Sequence, residues 1–137
     1  MRFVPVIAVA LLVPTQVQAA ASVNGRWYTD KKDSIVEIGQ CGASVCGKVV
    51  KILAPTPNGK PAIDSNNPDP KLRTRPILGM TILSGFKDAG KEWGGSIYDP
   101  RAGKTYRSTL ARLTNGTLRV KGCVGPFCKA FIFTPVK

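Results

Sequence analysis

Short β-forming segments separated by turn signals constrain the fold more than any other feature of this sequence. The clearest example covers residues 94–106. Asp99 can bond the backbone ahead of it, Pro100 presets φ for the next position, and Gly103 can adopt the left-handed conformation that closes the turn. Asn115-Gly116 is a second signal, because a type I′ turn needs positive φ at both central residues. The chain is therefore predicted to form consecutive antiparallel hairpins.

About eight short strands can be placed in this way, and no segment favours a helix. They cover residues 25–29, 34–38, 47–52, 80–83, 92–98, 105–113, 117–121 and 130–134. This pattern predicts an all-β fold, an antiparallel up-and-down barrel whose interior holds side chains or one small ligand. Pro135 cannot donate to a ladder, so the last strand is expected to end at Thr134 or to lie at an edge. The sequence leaves full closure of the barrel open.

Residues 53–79 interrupt the hairpins. Six prolines fall in this stretch, and neither a helix nor a central strand tolerates that density. Loops of this length in compact domains are either functional or disordered. We interpret it as an ordered excursion over the surface of the barrel.

The first 19 residues are predicted to be a secretory signal peptide. A charged start at Arg2 precedes a ten-residue apolar run over 4–13, too short to span a bilayer. Small residues then offer two cleavage sequences, Val17-Gln18-Ala19 and Ala19-Ala20-Ala21. Cleavage after Ala19 leaves a single domain, residues 20–137, expected to be soluble in the periplasm or secreted.

The chain is strongly basic, with 20 Lys and Arg against 8 Asp and Glu and a formal net charge of +12. Without Arg2 the counts are 19 and 8, a net charge of +11. The positive residues are scattered and form no run typical of a nucleic-acid-binding tail. A solvated outer face explains them most simply. The alternative is a surface that binds an anionic lipid, glycan or acidic protein of the cell envelope.

Two pairs of cysteines share the same spacing, Cys41 with Cys46 and Cys123 with Cys128. Three pairings are open to four cysteines. An exported chain favours disulfides, and pairing within each C-x4-C is the simplest arrangement. A zinc site is the rival interpretation, although zinc knuckles are usually closer to C-x2-C; we predict no metal and no cofactor.

Several short motifs in order resemble a family of bacterial exported proteins, domain of unknown function 2147. They are Gly25-x-Trp27, Val36-Glu37-Ile38, Cys41-Gly42, Cys46-Gly47-Lys48, Asp64 with Asn67-Pro68, Arg73-x-Arg75-Pro76-x-Leu78-Gly79, Trp93-x-Gly95-x-Ile97-Tyr98-Asp99-Pro100 and Gly103-Lys104-x-Tyr106. The resemblance implies a lipocalin-like barrel over nearly the whole domain and carries no settled activity. The chain departs from the family at its end, where Phe133 and Pro135 stand in place of a tryptophan followed by a basic residue.

Two groups of residues are candidates for ligand binding. Polar residues of the proline-rich loop could clamp an anion, or they could simply hold the loop in place. Aromatic residues could line a cavity, or they could fill the core. The candidates are Trp27, Asp64, Asn67, Arg73, Arg75, Trp93, Tyr98 and Tyr106.

The sequence offers little for catalysis. It contains no histidine, which removes the commonest general base and metal ligand, and no G-x-S-x-G elbow is present. We therefore predict a protein that is not an enzyme and binds a small apolar or amphipathic molecule in its barrel, with Arg73 or Arg75 holding an anionic head.

Overall fold

Eight antiparallel strands form a closed barrel in the computed structural model, which describes residues 1, 3–15 and 19–137. They are β1 (Gly25–Tyr28), β2 (Ser34–Cys41), β3 (Ser44–Ile52), β4 (Thr81–Asp88), β5 (Trp93–Asp99), β6 (Lys104–Arg112), β7 (Leu118–Val124) and β8 (Phe127–Pro135). Each strand pairs with the next in sequence, and β8 returns to β1. The all-β, up-and-down prediction is confirmed.

The apolar run at the start of the chain contributes no strand to the barrel. Residues 3–15 form neither helix nor strand. Val17 and Gln18 of the first predicted cleavage sequence lie outside the described residues. Among the described residues, no helix has the length and apolar character needed to cross a membrane.

Strand β4 is longer than predicted. The sequence suggested a connection over residues 84–90, but β4 continues to Asp88, with an irregular register between Ser84 and Lys87. Gly85 has a φ of 68°, which belongs to a bulge inside the strand and not to a turn. The bulge lets Phe86 reach the core, where it is fully buried.

Pro135 is the last residue of β8 and pairs with β1, so the expectation that the last strand ends at Thr134 or lies at an edge is wrong. Pro135 lies opposite Trp27, and the Val136 amide donates to the Arg26 carbonyl at 3.0 Å. Trp27 and Pro135 therefore form a non-hydrogen-bonded pair, in which neither residue donates to the other. On its other side, Pro135 lies beyond the start of β7, which begins at Leu118 opposite Phe133. The missing N–H removes no ladder bond.

The two ends of the barrel differ. The links β1–β2, β3–β4, β5–β6 and β7–β8 meet at one end, which we call the open end. The links β2–β3, β4–β5 and β6–β7 meet at the other, the closed end, together with the segment before β1. Large buried side chains fill the closed half; they include Val23, Trp27, Val36, Ile38, Phe86, Leu110 and Leu118.

The segment before β1 seals the closed end. Val23 is fully buried, and its carbonyl accepts a hydrogen bond from Trp27 Nε1 at 3.0 Å. Trp93 Nε1 donates to the Ala21 carbonyl at 2.9 Å, and the Ala20 amide donates to Asp88 Oδ2 at 3.1 Å. Cleavage after Ala19 would keep these contacts, whereas cleavage after Ala21 would remove the last two.

Both disulfides bridge neighbouring strands. Cys41 pairs with Cys46 across β2 and β3, and Cys123 pairs with Cys128, directly opposite it, across β7 and β8. The local pairing within each C-x4-C is confirmed. One disulfide braces a turn at the closed end and the other a turn at the open end.

Candidate ligand-binding site

A cavity of about 850 Å³ occupies the open half of the barrel. Inward-facing aliphatic and aromatic side chains from most of the strands form its wall. They include Val49, Ile52, Ile82, Ile97, Tyr106, Val120, Phe131 and Phe133. Because larger side chains fill the closed half, the cavity ends blindly there, and the loops of the open end line its mouth.

Gly122 lies in this wall, and its missing side chain leaves room in the cavity. A Cβ placed there would have only ordinary contacts, at 3.9 Å from both Ile97 Cγ2 and Tyr106 Cβ. Tyr106 also lines the cavity, and its hydroxyl makes no hydrogen bond to any described residue. It is a polar group free to meet a ligand.

Charged residues surround the mouth of the cavity, and the acidic ones already have partners. Asp33 accepts a hydrogen bond from the Thr29 hydroxyl at 2.6 Å, and Asp30 accepts one from the Ile132 amide at 3.1 Å. Asp99 forms an ion pair with Arg101 at 3.2 Å. Lys31 and Lys129 form no ion pair within the described part of the chain. An anion at the mouth would meet two unpaired ammonium groups.

Lys129 is placed differently from the other cations of the mouth. It belongs to the row Phe127, Lys129, Phe131 and Phe133 of β8, whose members all line the cavity. Its ammonium lies 5.3 Å from the centroid of the Phe131 ring, a distance suited to a cation–π contact. A single cation thus interrupts an otherwise apolar inward row at the entrance.

Part of the mouth is covered by the proline-rich loop between β3 and β4, residues 53–80, which we call the strap. It contains only two single 3₁₀ turns, Pro57–Gly59 and Pro70–Leu72, as its proline content predicts. Ile63 pairs with Pro76 in an isolated bridge, and the Ile77 amide donates to the Ala62 carbonyl at 3.0 Å. The strap is therefore an ordered arm. Its residues Ala62, Ile63 and Ile77 line the cavity.

The side chain of Asp64 holds the strap to the barrel and is fully buried. Its Oδ1 accepts a hydrogen bond from the Tyr98 hydroxyl of β5 at 2.6 Å. Its Oδ2 accepts bonds from Asn67 Nδ2 at 2.8 Å and from Arg75 Nε at 2.9 Å. The Arg75 guanidinium also lies over the Tyr98 ring, 5.5 Å from its centroid. One carboxylate thus joins two parts of the strap to the wall.

The pKa values of two groups in this cluster, Asp64 and Tyr98, are shifted. Burial by itself would raise the pKa of Asp64, but the hydrogen bonds from Tyr98, Asn67 and Arg75 and the charge of Arg75 outweigh burial and lower it. Burial raises the pKa of Tyr98, and the hydrogen bond to Asp64 and the negative charge of Asp64 raise it further. The cluster is therefore built for an ionised Asp64 and a neutral Tyr98.

These shifts predict how stability depends on pH. A lowered carboxyl pKa stabilises the fold above the unfolded value, about 3.9, and that stabilisation is lost as the pH falls through the folded value. A raised tyrosine pKa stabilises below about pH 10, and its contribution is lost as the pH rises above that value. Urea unfolding of the wild type and of Asp64→Asn should be measured from pH 2 to 8. The difference between their free energies of unfolding should be constant near neutrality and should shrink below about pH 4. An equal gap at pH 2 and pH 7 would contradict the assignment of an ionised Asp64.

A second contact fixes the strap to the β5–β6 turn. Asn66 Nδ2 donates to the Arg101 carbonyl at 3.0 Å. Gly103 has a φ of 63° and lies so close to the Asn66 carbonyl oxygen that a Cβ would overlap it. The Gly103 amide donates to the Asp99 carbonyl at 2.8 Å, as the turn prediction requires. Gly103 therefore closes the β5–β6 turn and also allows the strap to pack against it.

The structure brings only two of the eight predicted ligand-binding residues, Tyr98 and Tyr106, to the cavity lining. Asp64, Asn67 and Arg75 form the strap cluster, and Arg73 Nε donates to the Asn67 carbonyl at 2.8 Å. These four residues hold the loop, which was the simpler of the two interpretations. Trp27 and Trp93 lie at the closed end. That these residues contact a ligand stays a prediction.

Sequence reasoning missed two positions that shape the cavity. Lys129 could have been noticed, because it stands at an inward position of an alternating apolar strand. Gly122 gave no such signal, since a glycine inside a strand is as often a bulge as a space for a ligand.

A closed eight-stranded up-and-down barrel with a blind apolar cavity defines a lipocalin-like protein. The fold resembles a solved structure described as protein HP1028 from the human pathogen Helicobacter pylori, which belongs to the lipocalin family. The two chains share 25% sequence identity with a TM-score of 0.74, over 86% of this chain and 85% of the other.

Residues 25–134 match the family described as uncharacterized protein conserved in bacteria, DUF2147. The chain belongs to that family, which confirms the resemblance drawn from its motifs. No curated protein matches the sequence. The lipocalin-like fold suggests binding of a small ligand.

Proposed function

We propose that this protein is a non-enzymatic carrier that binds one small amphipathic molecule in its barrel. The observation that supports this most is the blind cavity of about 850 Å³ with an apolar wall and a charged mouth. Ligand pockets typically measure about 300–1,000 Å³ and combine apolar walls with a few polar groups. An apolar tail would lie against Val120, Phe131 and Phe133, and the free Tyr106 hydroxyl would meet a polar atom of the ligand.

An anionic head suits the mouth better than a neutral or cationic one. Arg73 and Arg75, which the sequence suggested for this role, are engaged within the strap. Lys129 takes their place in the proposal, because it faces the cavity and carries no ion pair in the described chain. Lys31 of the β1–β2 turn lies at the same mouth and adds a second positive charge.

The test is a titration with 11-(dansylamino)undecanoate, a fluorescent fatty-acid analogue, after removal of any bound lipid. Saturable uptake of one probe per chain is expected, with a blue-shifted emission from an apolar site. Palmitate should displace the probe. A protein that takes up no probe, or that binds many copies without saturation, would contradict the proposal.

Replacing Lys129 with glutamine is expected to weaken binding of the undecanoate probe about tenfold, since a hydrogen bond to a charged partner contributes about 1.5 kcal/mol. The matching dansylamino alcohol should bind both proteins equally, because it carries no charge. Lys129→Arg should retain most of the affinity for the anion. Lys51→Gln changes the same charge on an exposed residue outside the cavity lining and serves as the control. If Lys129→Gln loses affinity equally for the acid and the alcohol, Lys129 contributes through packing and not through its charge.

The compartment forms part of the proposal. Two disulfides in a domain of this size suit an oxidising environment, and the predicted leader would deliver the chain to the periplasm or outside the cell. An apolar or amphipathic molecule needs a carrier in such an aqueous space.

A further inference from the structure

The tip of the β7–β8 hairpin, residues 124–127, carries the two most exposed large apolar side chains of the described barrel. Val124 keeps 65% of its surface in solvent and Phe127 keeps 80%. They stand on either side of Gly125-Pro126 and pair across the hairpin. Both residues also line the mouth of the cavity.

The tip is held rigidly. The disulfide between Cys123 and Cys128 closes the hairpin directly behind Val124 and Phe127. Arg107 Nη2 of the neighbouring strand donates to the Gly125 carbonyl at 2.6 Å. An apolar tip fixed in this way cannot fold back to bury itself, and it loses little conformational freedom when it is buried by a partner.

The strands that carry the tip and flank it are basic. Strands β6, β7 and β8 and the links between them contain Lys104, Arg107, Arg112, Arg119, Lys121 and Lys129 and no Asp or Glu. Among these, Arg107 and Lys129 lie beside the tip. Basic side chains within a Debye length of an anionic lipid surface are attracted to it.

We propose that this tip docks on an anionic phospholipid surface, with Phe127 and Val124 inserted among the lipids and with Arg107 and Lys129 over the headgroups. Apolar insertion combined with basic attraction is the usual physical basis of reversible interfacial binding. The docked orientation turns the mouth of the cavity toward the membrane. An amphipathic molecule could then pass between the lipid layer and the barrel without crossing water.

Vesicle sedimentation tests the docking directly. Wild-type protein should bind vesicles of phosphatidylglycerol and phosphatidylcholine at 30:70 at least tenfold more tightly than vesicles of phosphatidylcholine alone, and the difference should shrink as salt rises. Phe127→Ser should reduce binding to the anionic vesicles about tenfold or more. Ile132→Ser removes an apolar side chain on the outer face of β8, away from the tip, and should change binding less than twofold.

Fluorescence quenching tests the orientation. A tryptophan introduced by Phe127→Trp should be quenched by lipids brominated in the acyl chain. The two native tryptophans lie at the closed end and should not be quenched in the wild type. Quenching of the native tryptophans would overturn the proposed orientation.

The proposal of membrane docking and the proposal of ligand binding in the cavity can be tested separately. Gly122→Leu fills the cavity without touching the tip, so this variant should lose the soluble probe and keep its vesicle binding. If the wild type binds anionic and neutral vesicles equally, or if Phe127→Ser binds as the wild type does, the docking proposal is wrong whatever the cavity does. Far-UV circular dichroism on each variant establishes that the barrel is folded.

Discussion

Substituting leucine for Gly122 should abolish measurable binding of the undecanoate probe, a loss of at least about twentyfold, while the barrel stays folded. Gly122 has ordinary backbone angles, and a Cβ there meets only Ile97 and Tyr106 at 3.9 Å. The leucine side chain therefore projects into the cavity and occupies space that an apolar tail would use. Because it fills a cavity and does not displace packed atoms, the melting temperature should change by less than about 5 °C.

Gly94→Leu is the matched control for this substitution. Gly94 lies on β5, where a Cβ would meet no heavy atom of the described residues within 4 Å, and it is absent from the cavity lining. The same leucine there should leave probe binding unchanged. If both variants bind the probe as well as the wild type does, the probe binds elsewhere and the cavity is not the site.

Replacing Asp64 with asparagine should cost about 3 kcal/mol of the free energy of unfolding, which corresponds to about 10–12 °C for a domain of this size. The carboxylate accepts three hydrogen bonds while fully buried. An asparagine there removes the negative charge that faces Arg75 and replaces one of the two accepting oxygens with an NH2 group. Because the Arg75 side chain keeps 40% of its surface in solvent, the cost falls at the lower end of that for a broken buried pair.

Asp69→Asn provides the comparison within the same strap. Asp69 accepts only a local bond from the Lys71 amide at 3.0 Å, so this substitution should cost less than about 1 kcal/mol. Tyr98→Phe removes one of the three bonds to Asp64 and should cost about 1.5 kcal/mol. Thermal unfolding of the three variants measures the order of their losses of stability. If Asp64→Asn and Asp69→Asn are equally mild, Asp64 does not anchor the strap.

Much of the fold could be predicted because local signals and long-range pairing agree. Asp99, Pro100 and Gly103 form the turn that their side chains favour, and local hairpins need no information about distant residues. The full length of β4 is not predictable from the sequence, because Gly85 gives the same signal in a bulge as in a turn. The place of Pro135 is unpredictable for a related reason: its effect depends on which neighbouring strand its missing N–H would face, and only the barrel register defines that.

The candidate site was less predictable, since it depends on which side chains the barrel brings together. Asp64 and Tyr98 are 34 residues apart, and no local pattern shows that they share a hydrogen bond. The polar motif around Asp64, Arg73 and Arg75 could have bound an anion or held the loop in place. In the structure its side chains make hydrogen bonds within the loop. The cation at the mouth, Lys129, lies in an alternating apolar row, but the predicted last strand begins at residue 130 and leaves it out, whereas β8 begins at Phe127.

Native mass spectrometry of the protein purified without detergent from its own host tests the central proposal, ligand binding in the barrel, most directly. The wild type and Gly94→Leu should each carry an additional mass of one small organic molecule, released on denaturation, and Gly122→Leu should carry none. An unliganded mass for the wild type, or the same adduct on Gly122→Leu, would contradict binding in this cavity.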